Sequence, residues 1–404
     1  MRTINGKHNT AKVFIDNIDS ETESQIIELL NQEFVKDSQV RIMPDTHAGK
    51  GCVIGFTQTI GDKVVPNLVG VDIGCGMHVS NLGKVDIDFS ALDKFIKNKI
   101  PHGSGIHKES QVNFKNRLNE LICLREISKK SRDFNLGIGS LGGGNHFIES
   151  NIDQNGNIYL VIHSGSRNLG AKVCEHYQKL AIQYHNGIND AYYDEQNKLI
   201  QTYKNNGRRK EIQNALSELK KKFSVQSSIP DALCYLEGKL LNDYLHDLKI
   251  AQEYAVLNRE VMSRNILNFL GIEIQSQFHT IHNYIDLDKM ILRKGAVSAL
   301  DNELMIIPLN MRDGSILAYG KGNLDWNFSA PHGAGRLYSR TRAKELFDLN
   351  NFEKSMAGIY TTSVRESTLD ESPFAYKSME SIIDNVDDSV EIVDIMRPLY
   401  NFKA

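Results

Sequence analysis

The stretch Val69-Gly70-Val71-Asp72-Ile73-Gly74-Cys75-Gly76-Met77 surrounds one carboxylate and one thiol with three glycines. The glycines let the backbone turn tightly, and Asp72 and Cys75 are three residues apart, so one turn can aim both side chains at one point. A carboxylate oxygen and a thiolate together suit a divalent transition metal better than Mg²⁺ or Ca²⁺. A glycine-rich turn around a buried structural cysteine is the alternative interpretation. The apolar residues that lead into the turn predict a buried strand: Val64, Val65, Leu68, Val69 and Val71.

The composition is that of a globular protein without a strong charge bias, since the chain has 404 residues and a net charge of −3. This charge excludes an overall basic field for nucleic acid, although a local basic stripe would still suffice. The length fits two or three domains or one large α/β domain, and the lack of repeats and long linkers favours a single body. Five scattered cysteines, an odd number, predict free thiols in a reducing cytoplasm.

The hydropathy pattern predicts no membrane association. No apolar run approaches the roughly 20 residues of a transmembrane helix. The N-terminal sequence MRTINGKHNTAKVF also lacks the apolar core of a secretion signal.

The N-terminal region predicts a helix, two strands and a loop between the strands. Ser20 followed by Glu23 is a capping-box pattern that opens the helix. Residues 40–43 predict a strand that ends at Pro44, and residues 52–57 predict the next strand. The loop between them, residues 44–51, carries His47 and Lys50 at its tip. It is either a binding loop or a solvated turn.

The most glycine-dense stretch covers residues 136–149 and carries His146 and Glu149. Its backbone N–H groups could cradle phosphate, but its spacing does not match a dinucleotide fingerprint. A strand is expected from Phe147 onward, and residues 157–163 predict a second strand that ends on His163. Strand ends are where α/β folds place site residues, although a structural core histidine is the alternative. A helix of about residues 169–186 follows.

Two regions have the pattern of helices. Residues 88–130 are mostly amphipathic, and residues 190–270 are charged and nearly free of glycine. The second region predicts a helical insertion, with a hairpin broken near residues 227–230. Its basic cluster either contacts RNA phosphates or, the favoured interpretation, forms a solvated helix face: Lys204, Arg208, Arg209, Lys210, Lys220, Lys221 and Lys222.

The last third of the chain adds histidines and arginines in further turns. Residues 272–274, 293–297 and 304–309 predict strands, and residues 310–315 and 320–323 predict loops. His279 and His282 are three residues apart and are candidate ligands, with an ordinary histidine as the equal alternative at His279. His332 precedes two glycines, and the arginines after it can clamp phosphate. The C-terminal part predicts a helix and then a strand.

These residues together predict a metal-dependent phosphoryl or nucleotidyl transfer enzyme. One aspartate, one cysteine and several histidines come from separate glycine-flanked turns at strand ends. A bridging thiolate can hold a pair of Mn²⁺- or Zn²⁺-like ions, which would stabilise both the entering and the leaving group of a phosphoryl transfer. His332 lies outside that set, and a neutral imidazole there is a competent nucleophile toward phosphorus.

Eight motifs, in order through nearly the whole chain, resemble those of the RtcB family of RNA ligases. They are PDTHAGKG (44–51), VGVDIGCGM (69–77), LGGGNHFIE (141–149), HSGSRNLG (163–170), HNY (282–284), RKGAVSA (293–299), HGAGR with SRTRAK (332–344) and AYK (375–377). Several of these motifs are long and unusual, so chance agreement is implausible.

The resemblance implies an α/β (α+β) fold of mixed β-sheets surrounded by helices. It implies one catalytic domain over residues 1–404, with the helical insertion at about 190–270. The activity implied is that of a cytoplasmic enzyme that joins an RNA 3′-phosphate or 2′,3′-cyclic phosphate end to a 5′-hydroxyl end in RNA repair or tRNA splicing. GTP and two Mn²⁺ ions are the cofactors implied, and an accessory activating protein is a further partner to consider.

The resemblance also assigns roles residue by residue. It implies that Cys75 bridges two metal ions, with Asp72, His146, His163 and His282 as the other ligands. His332 would be the guanylylated nucleophile. The residues implied for the GTP or GMP site are Asn145, Phe147, Glu149, Asn283, Pro308, Asn310, Met311, Ser315, Gly333, Ala334, Gly335, Tyr376 and Lys403. The residues expected to contact RNA are His47, Lys50, Arg167, Arg336 and Arg340.

One segment departs from the family pattern. Where relatives have a PGSMG-like turn that contacts the nucleotide, this chain has Pro308-Leu309-Asn310-Met311-Arg312-Asp313-Gly314-Ser315. Nucleotide affinity and base choice are therefore open. Two other functions also stay open: a metal-dependent phosphodiesterase or nucleotidyltransferase without ligation, and a non-catalytic metalloprotein that binds RNA ends.

Overall fold

A computed structural model of the chain describes residues 1–130 and 133–403. Its strands are β1 (Arg2–Asn5), β2 (Thr10–Val13), β3 (Val40–His47), β4 (Ile54–Thr59), β5 (Lys63–Val64), β6 (Gly76–Gly83), β7 (Phe147–Ile152), β8 (Ile158–Ser164), β9 (Leu236–Glu237), β10 (Ser276–Ile281), β11 (Asn283–Asp286), β12 (Ile291–Lys294), β13 (Ala296–Ser298), β14 (Leu304–Asn310), β15 (Gly314–Gly320), β16 (Ser329–Pro331), β17 (Tyr360–Thr361) and β18 (Val390–Lys403).

The α-helices of the same residues are α1 (Ser20–Leu30), α2 (Pro66–Val69), α3 (Phe89–Lys99), α4 (Lys115–Leu118), α5 (Leu124–Ile127), α6 (Arg167–His185), α7 (Asp190–Asn205), α8 (Ile212–Phe223), α9 (Gly238–Leu270), α10 (Arg340–Leu346), α11 (Leu349–Ser355) and α12 (Met379–Ile383).

The strands build two large sheets and two short ribbons. The six-stranded sheet has the order β1-β2-β3-β4-β12-β11 and is antiparallel except for the parallel pair β2–β3. The eight-stranded sheet has the order β10-β6-β8-β7-β18-β15-β14, with β17 added in parallel to β18. The ribbons are β13–β16 and β5–β9. Because helices surround these mixed sheets, the predicted α/β class is confirmed.

One residue, His282, separates the two large sheets along the chain. Before it, β10 pairs with β6 in the eight-stranded sheet, where Ile281 lies opposite Gly76. After it, β11 pairs with β12 in the six-stranded sheet, where Asn283 lies opposite Lys294. A side chain at this crossing is therefore held by both sheets.

The 33-residue helix α9 is the internal support of the fold. It spans about 50 Å at 1.5 Å per residue and packs against α6, β6 and β8. Leu248 and Tyr254 join the apolar core that includes the six-stranded sheet. Met262 and Ile266 join the core that includes the eight-stranded sheet. The two cores are thus linked through one helix.

Several predicted elements are confirmed. Strands lie where residues 147–149, 157–163, 293–297 and 304–309 predict them, and α6 occupies the helix predicted at 169–186. The helical character of residues 190–270 is also confirmed, although α9 is central and only α7 and α8 are peripheral. The basic cluster of that region is exposed, and Arg208 and Lys221 pair with Glu211 and Glu218 of their own segments. This supports the interpretation as a solvated face.

The strand predicted before the Asp72–Cys75 turn is wrong. Residues 66–69 form the short helix α2, because Pro66 takes the first helical position, where its missing N–H costs nothing. Val71 is 47 % exposed and does not lie in the core. The apolar residues Leu68 and Val69 therefore belong to one buried helical turn.

Other boundaries also differ from the predictions. The helical region predicted over 88–130 is helical only in parts: α3 ends at Lys99, because Pro101 and the glycines after it do not continue a helix, and the short helices α4 and α5 follow. Residues 272–274 are not a strand; their isoleucines pack on the core that includes the eight-stranded sheet, and β10 begins at Ser276.

The strand predicted to end at Pro44 continues to His47 across a change of register. Asp19, rather than Ser20, caps α1 by accepting a hydrogen bond from the backbone N–H of Thr22.

The buried carboxylate of Asp247 on α9 predicts a large stability effect. It accepts hydrogen bonds from the backbone N–H groups of Ile122 and Cys123, at 2.8 and 3.0 Å, and from the hydroxyl of Tyr177 at 2.8 Å. Asp247→Ala should lower the free energy of unfolding by about 3–5 kcal/mol, because three donors lose a charged acceptor and only the hydroxyl of Tyr177 keeps another bond, to the carbonyl oxygen of Asp243. Equilibrium urea unfolding measures the change.

Asp243→Ala is the matched control, one turn earlier on α9. Its carboxylate pairs with Lys239, whose side chain is 82 % exposed, so the change should stay within about 1 kcal/mol. Equal losses for the two variants would contradict the role assigned to Asp247.

Candidate active site and metal centre

The sulfur of Cys75 lies at the centre of a cluster of imidazoles. Its Sγ is 3.5 Å from Nε2 of His146 and 3.2 Å from Nε2 of His163. Nε2 of His163 is 3.4 Å from Nε2 of His282, and Nε2 of His146 is 3.0 Å from Oδ2 of Asp72. Ligands with metal bonds of about 2.0–2.3 Å have comparable separations. A buried group formed by Cys75, His146 and His163 is therefore suited to hold a metal ion.

Neighbouring strands of the eight-stranded sheet place these side chains. His163 in β8 lies opposite Met77 of β6 on one side and Phe147 of β7 on the other. The Asp72–Cys75 turn immediately precedes β6, and His146 immediately precedes β7. Gly165, just after β8, leaves room for the carboxylate of Asp72, since a Cβ there would lie 2.2 Å from its Oδ1.

Backbone carbonyls orient two of the imidazoles. Nδ1 of His146 lies 2.8 Å from the carbonyl oxygen of Leu141, and Nδ1 of His163 lies 3.1 Å from that of Asn145. An Nδ1–H that donates to a carbonyl leaves Nε2 unprotonated and free to bind a metal. The glycine-dense stretch thus serves the cluster through its carbonyl oxygens.

Burial controls the charge of the cluster. It holds the pKa of His163 and that of His282 well below the ordinary value, and neighbouring imidazoles add to the effect. Burial also raises the pKa of the Cys75 thiol. For Asp72, burial acts to raise the pKa, but the hydrogen bond and charge of His146, aided by Arg167, outweigh it and the pKa is lowered. His163 and His282 are therefore neutral and Asp72 is ionised, and these are the protonation states that metal binding needs at the three residues.

Arg259 on α9 connects two segments that carry residues of the cluster. Its side chain is fully buried, and its Nη1 donates to the carbonyl oxygens of Gly74 and Ser164, each at 2.7 Å. It therefore joins the Asp72–Cys75 turn to the end of β8. Sequence reasoning missed this residue. The available signal was a charged residue on the apolar face of a long helix.

His332 stands beside the cluster and pairs with Asp45 of β3. Its Nδ1 lies 2.6 Å from Oδ2 of Asp45, and its backbone N–H donates to the same oxygen at 3.0 Å. The ring centroids of His332 and His282 are 4.9 Å apart. Gly335 allows this approach, because its φ is +75° and a Cβ there would lie 2.2 Å from the carbonyl oxygen of Asp45. Asp45 is fully buried and was not predicted as a site residue.

A cavity of about 330 Å³ opens next to His332, which is within the size range of small-molecule sites. Many of the residues predicted for the nucleotide line it: Asn145, Phe147, Glu149, Pro308, Asn310, Met311, Gly333, Ala334, Gly335, Tyr376 and Lys403. His163, His47, Arg336 and Arg340 line it as well. The cavity therefore joins the cluster to the predicted nucleotide and RNA residues.

Glu371 anchors the far wall of the cavity and was not predicted from the sequence. It forms ion pairs with Lys403 and, at 2.9 Å, with Arg340, and it accepts a hydrogen bond from the hydroxyl of Tyr376 at 2.7 Å. Burial acts to raise the pKa of Glu371, but the positive charges of Lys403 and Arg340 outweigh it and lower the pKa to about 2. Glu149 lies on the same cavity and has no such paired cation, so burial raises its pKa to about 7.

Four of the predicted contact residues lie elsewhere. Asn283 accepts a hydrogen bond from the N–H of Gly295 behind the cluster, and Ser315 is fully buried in β15. Lys50 is exposed outside the cavity. Arg167 is not part of the cavity lining; it donates to the hydroxyl of Ser140 and the carbonyl oxygen of Gly103 and lines a second cavity.

The segment that departs from the family pattern is a tight turn between β14 and β15. Asn310 donates to Asp313 at 2.7 Å and accepts from the N–H of Arg312. Leu309 and Met311 are buried. Hydrogen bonds of the Asn310 side chain stabilise the turn from within, and Asn310 and Met311 still line the cavity.

Within residues 1–130 and 133–403, no helix combines the length and apolar character needed to cross a bilayer. All five cysteines are free and buried.

Comparison with known proteins identifies the family. The sequence profile described as tRNA-splicing ligase RtcB matches residues 25–128 and 122–404. RNA-splicing ligase RtcB of Escherichia coli K12 is 28 % identical, over 96 % of this chain and 95 % of the relative. RNA-splicing ligase RtcB1 of a second Escherichia coli strain has the same identity and coverage. tRNA-splicing ligase RtcB of Archaeoglobus fulgidus is 26 % identical over 89 % of this chain and 86 % of the relative. The resemblance carried by the eight motifs is confirmed, and the chain belongs to the RtcB family.

Proposed function

We propose that the protein is an RNA ligase that joins an RNA 3′-phosphate or 2′,3′-cyclic phosphate end to a 5′-hydroxyl end in the cytoplasm, consuming GTP. The observation that carries the proposal is the His332–Asp45 pair beside the Cys75 cluster. It combines an oriented nucleophile with a set of metal ligands. Membership of a family whose relatives are named RNA-splicing and tRNA-splicing ligases supports RNA repair or tRNA splicing as the setting.

The donor set fits two Mn²⁺ ions. Asp72, Cys75 and His146 would hold one ion, and Cys75, His163 and His282 would hold the other, with the sulfur shared. The fit rests on the anchored Nδ1 atoms of His146 and His163, which leave both Nε2 atoms directed at the sulfur. Bound in this way, the ions would polarise phosphoryl oxygens and stabilise entering and leaving groups.

His332 would start the reaction as a nucleophile. Because its Nδ1–H donates to Asp45, its Nε2 keeps a lone pair that can attack the α-phosphorus of GTP. An N–P bond forms, the P–O bond to pyrophosphate breaks, and pyrophosphate leaves. The carboxylate of Asp45 stabilises the positive charge that develops on the imidazole.

The cavity would hold the guanylate. Lys403 is buried on its wall, and its ammonium would offset the charge on the non-bridging oxygens of the reacting phosphate. Its pairing with Glu371 holds it in place. The loop of Gly333, Ala334 and Gly335 brings backbone close to the nucleotide beside His332.

Two further steps would complete the ligation. An oxygen of the RNA 3′-phosphate attacks the guanylate phosphorus, and the N–P bond to His332 breaks. The 5′-hydroxyl of the second RNA then attacks the 3′-phosphate, a phosphodiester forms, and GMP leaves. A cyclic end is first opened by water. Arg336, Arg340 and His47 on the cavity, with Lys50 and Arg167 outside it, are proposed to contact the RNA. Burial lowers the pKa of His47 to about 4, so His47 would act as a neutral hydrogen-bonding group.

His332→Gln should abolish the covalent guanylate, because the nucleophilic nitrogen is removed, while metal content is retained. Intact-mass spectrometry after incubation with GTP and Mn²⁺ should show a +GMP adduct on the parent and none on the variant. His246→Gln, at an exposed histidine of α9, is the control and should form the adduct normally. An adduct on His332→Gln sinks the nucleophile assignment. An enzyme with metal but without a covalent histidine would fit the phosphodiesterase alternative.

Asp45→Asn should slow adduct formation by about 100-fold or more. The amide can no longer hold the His332 tautomer as an anionic acceptor, and loss of the equivalent carboxylate in a Ser-His-Asp triad costs about 10⁴-fold. The rate of +GMP formation at saturating GTP measures the effect. An unchanged rate would show that the Asp45 contact is structural only.

Cys75→Ala should reduce bound Mn²⁺ from two ions per chain to one or none, because the shared ligand is lost. Metal analysis by mass spectrometry after dialysis against Mn²⁺ measures the ratio. Cys174→Ala, a buried cysteine in α6 outside the cluster, should retain two ions. Equal metal content in the two variants would rule out a bridging sulfur.

A further inference from the structure

Three aromatic side chains form a patch on the rim of the cavity, and the proposed reaction does not use them. Tyr338, Phe347 and Phe374, here called the aromatic rim, lie in ring contact. The centroids of Tyr338 and Phe347 are 5.8 Å apart, and those of Phe347 and Phe374 are 5.9 Å apart. Tyr338 is 39 % exposed and Phe374 is 41 % exposed. Large exposed aromatic groups in one patch mark a binding surface.

The aromatic rim and the arginines near it belong to three chain segments that also contribute residues to the cavity lining. Tyr338 lies between Arg336 and Arg340, which both line the cavity. Phe374 is two residues before Tyr376, another lining residue. Tyr338 and Phe374 therefore lie within two residues of side chains that line the cavity.

Two guanidinium groups lie near the rings, and each is paired with a carboxylate of its own segment, Arg312 with Asp313 and Arg342 with Glu345. The third segment supplies Arg312, which follows the cavity residue Met311 and lies 5.8 Å from the ring centroid of Phe374. Arg342, one turn from Tyr338, is 59 % exposed. Aromatic rings interleaved with arginines bind single-stranded nucleic acid by stacking bases and neutralising phosphates.

We infer that the aromatic rim is a stacking platform for the last bases of the RNA strand whose 3′-phosphate enters the cavity. This inference rests on the proposed ligase function and adds the part of the RNA that is recognised. The terminal phosphate lies in the cavity, and the bases before it stack on Tyr338 and Phe374 outside. Stacking is tolerant of sequence, because every base has a π face. The platform therefore selects an unpaired 3′ end and not a particular sequence.

The test uses a fluorescein-labelled RNA of ten nucleotides with a 3′-phosphate, and the same RNA made abasic at its last three positions. Fluorescence anisotropy with the full-length protein and Mn²⁺, without GTP, gives the Kd of each. Tyr338→Ala/Phe374→Ala should weaken binding of the intact RNA by at least about tenfold. The abasic RNA should bind the parent as weakly as the intact RNA binds the variant, and the variant should not distinguish the two RNAs.

Two controls separate stacking from general damage. Tyr338→Phe/Phe374→Tyr keeps both rings and should retain the parent Kd. Tyr319→Ala removes a tyrosine that is 40 % exposed but lies five residues beyond the cavity residue Gly314 on β15, and it should leave the Kd unchanged. The +GMP adduct should form at the parent rate in each variant. If the double alanine variant does not fold, Tyr338→Leu/Phe374→Leu removes the rings while keeping apolar bulk.

The outcomes are distinguishable. A parent protein that forms no +GMP adduct overturns the ligase proposal itself. A normal adduct, with rim variants that bind both RNAs as the parent does, overturns only the platform and indicates that the patch docks a protein. Equal loss of affinity for intact and abasic RNA in the variant would show that the rings do not touch bases, which also overturns the inference.

Discussion

The site depends on the fixed orientation of buried imidazoles around one sulfur. His146 and His163 hydrogen-bond through Nδ1 to Leu141 and Asn145, carbonyls of the same glycine-rich loop. This directs each Nε2 toward Sγ of Cys75. Burial keeps the pKa of His163 low, so the ring is neutral and its lone pair is available. The glycine-dense stretch, which the sequence suggests as a phosphate cradle, supplies the carbonyl acceptors that orient these two imidazoles.

Adjacent residues of α9 hold the segments that carry this site. Oδ1 of Asn258 accepts from the N–H groups of Gly139 and Ser140, and its Nδ2 donates to the carbonyl oxygen of Gly165. Arg259 bonds the carbonyls of Gly74 and Ser164. Burying an arginine is costly unless its bonds are well made. In this structure, Asn258 and Arg259 together attach three glycine-containing turns to a single helix.

The His332–Asp45 pair illustrates how far the sequence could lead. His332 stands out because glycines and arginines follow it, and it was predicted as the nucleophile. Asp45 lies in the PDTHAGKG motif, but 287 residues separate the two partners. No local sequence pattern predicts a contact between residues that are so far apart along the chain. Glu371 was missed for the same reason, since its partner Lys403 is on the last strand. The predictions around α2 and after α3 were wrong for a different reason. Pro66 begins a helix and Pro101 follows the end of one, and these prolines had more effect than the pattern of apolar residues.

The sequence by itself determined the chemistry of the site: the thiol, the carboxylate, the histidines and the glycines that flank them are local features, and together they showed the family. Only the tertiary structure decided which of these groups meet. His282 reaches the cluster because it occupies the crossing between two sheets, whereas Asn283 beside it hydrogen-bonds to the N–H of Gly295 and the carbonyl oxygen of Asp72. Register and crossing are set by packing of distant strands on α9. Such packing is a property of the whole chain, and no single segment encodes it.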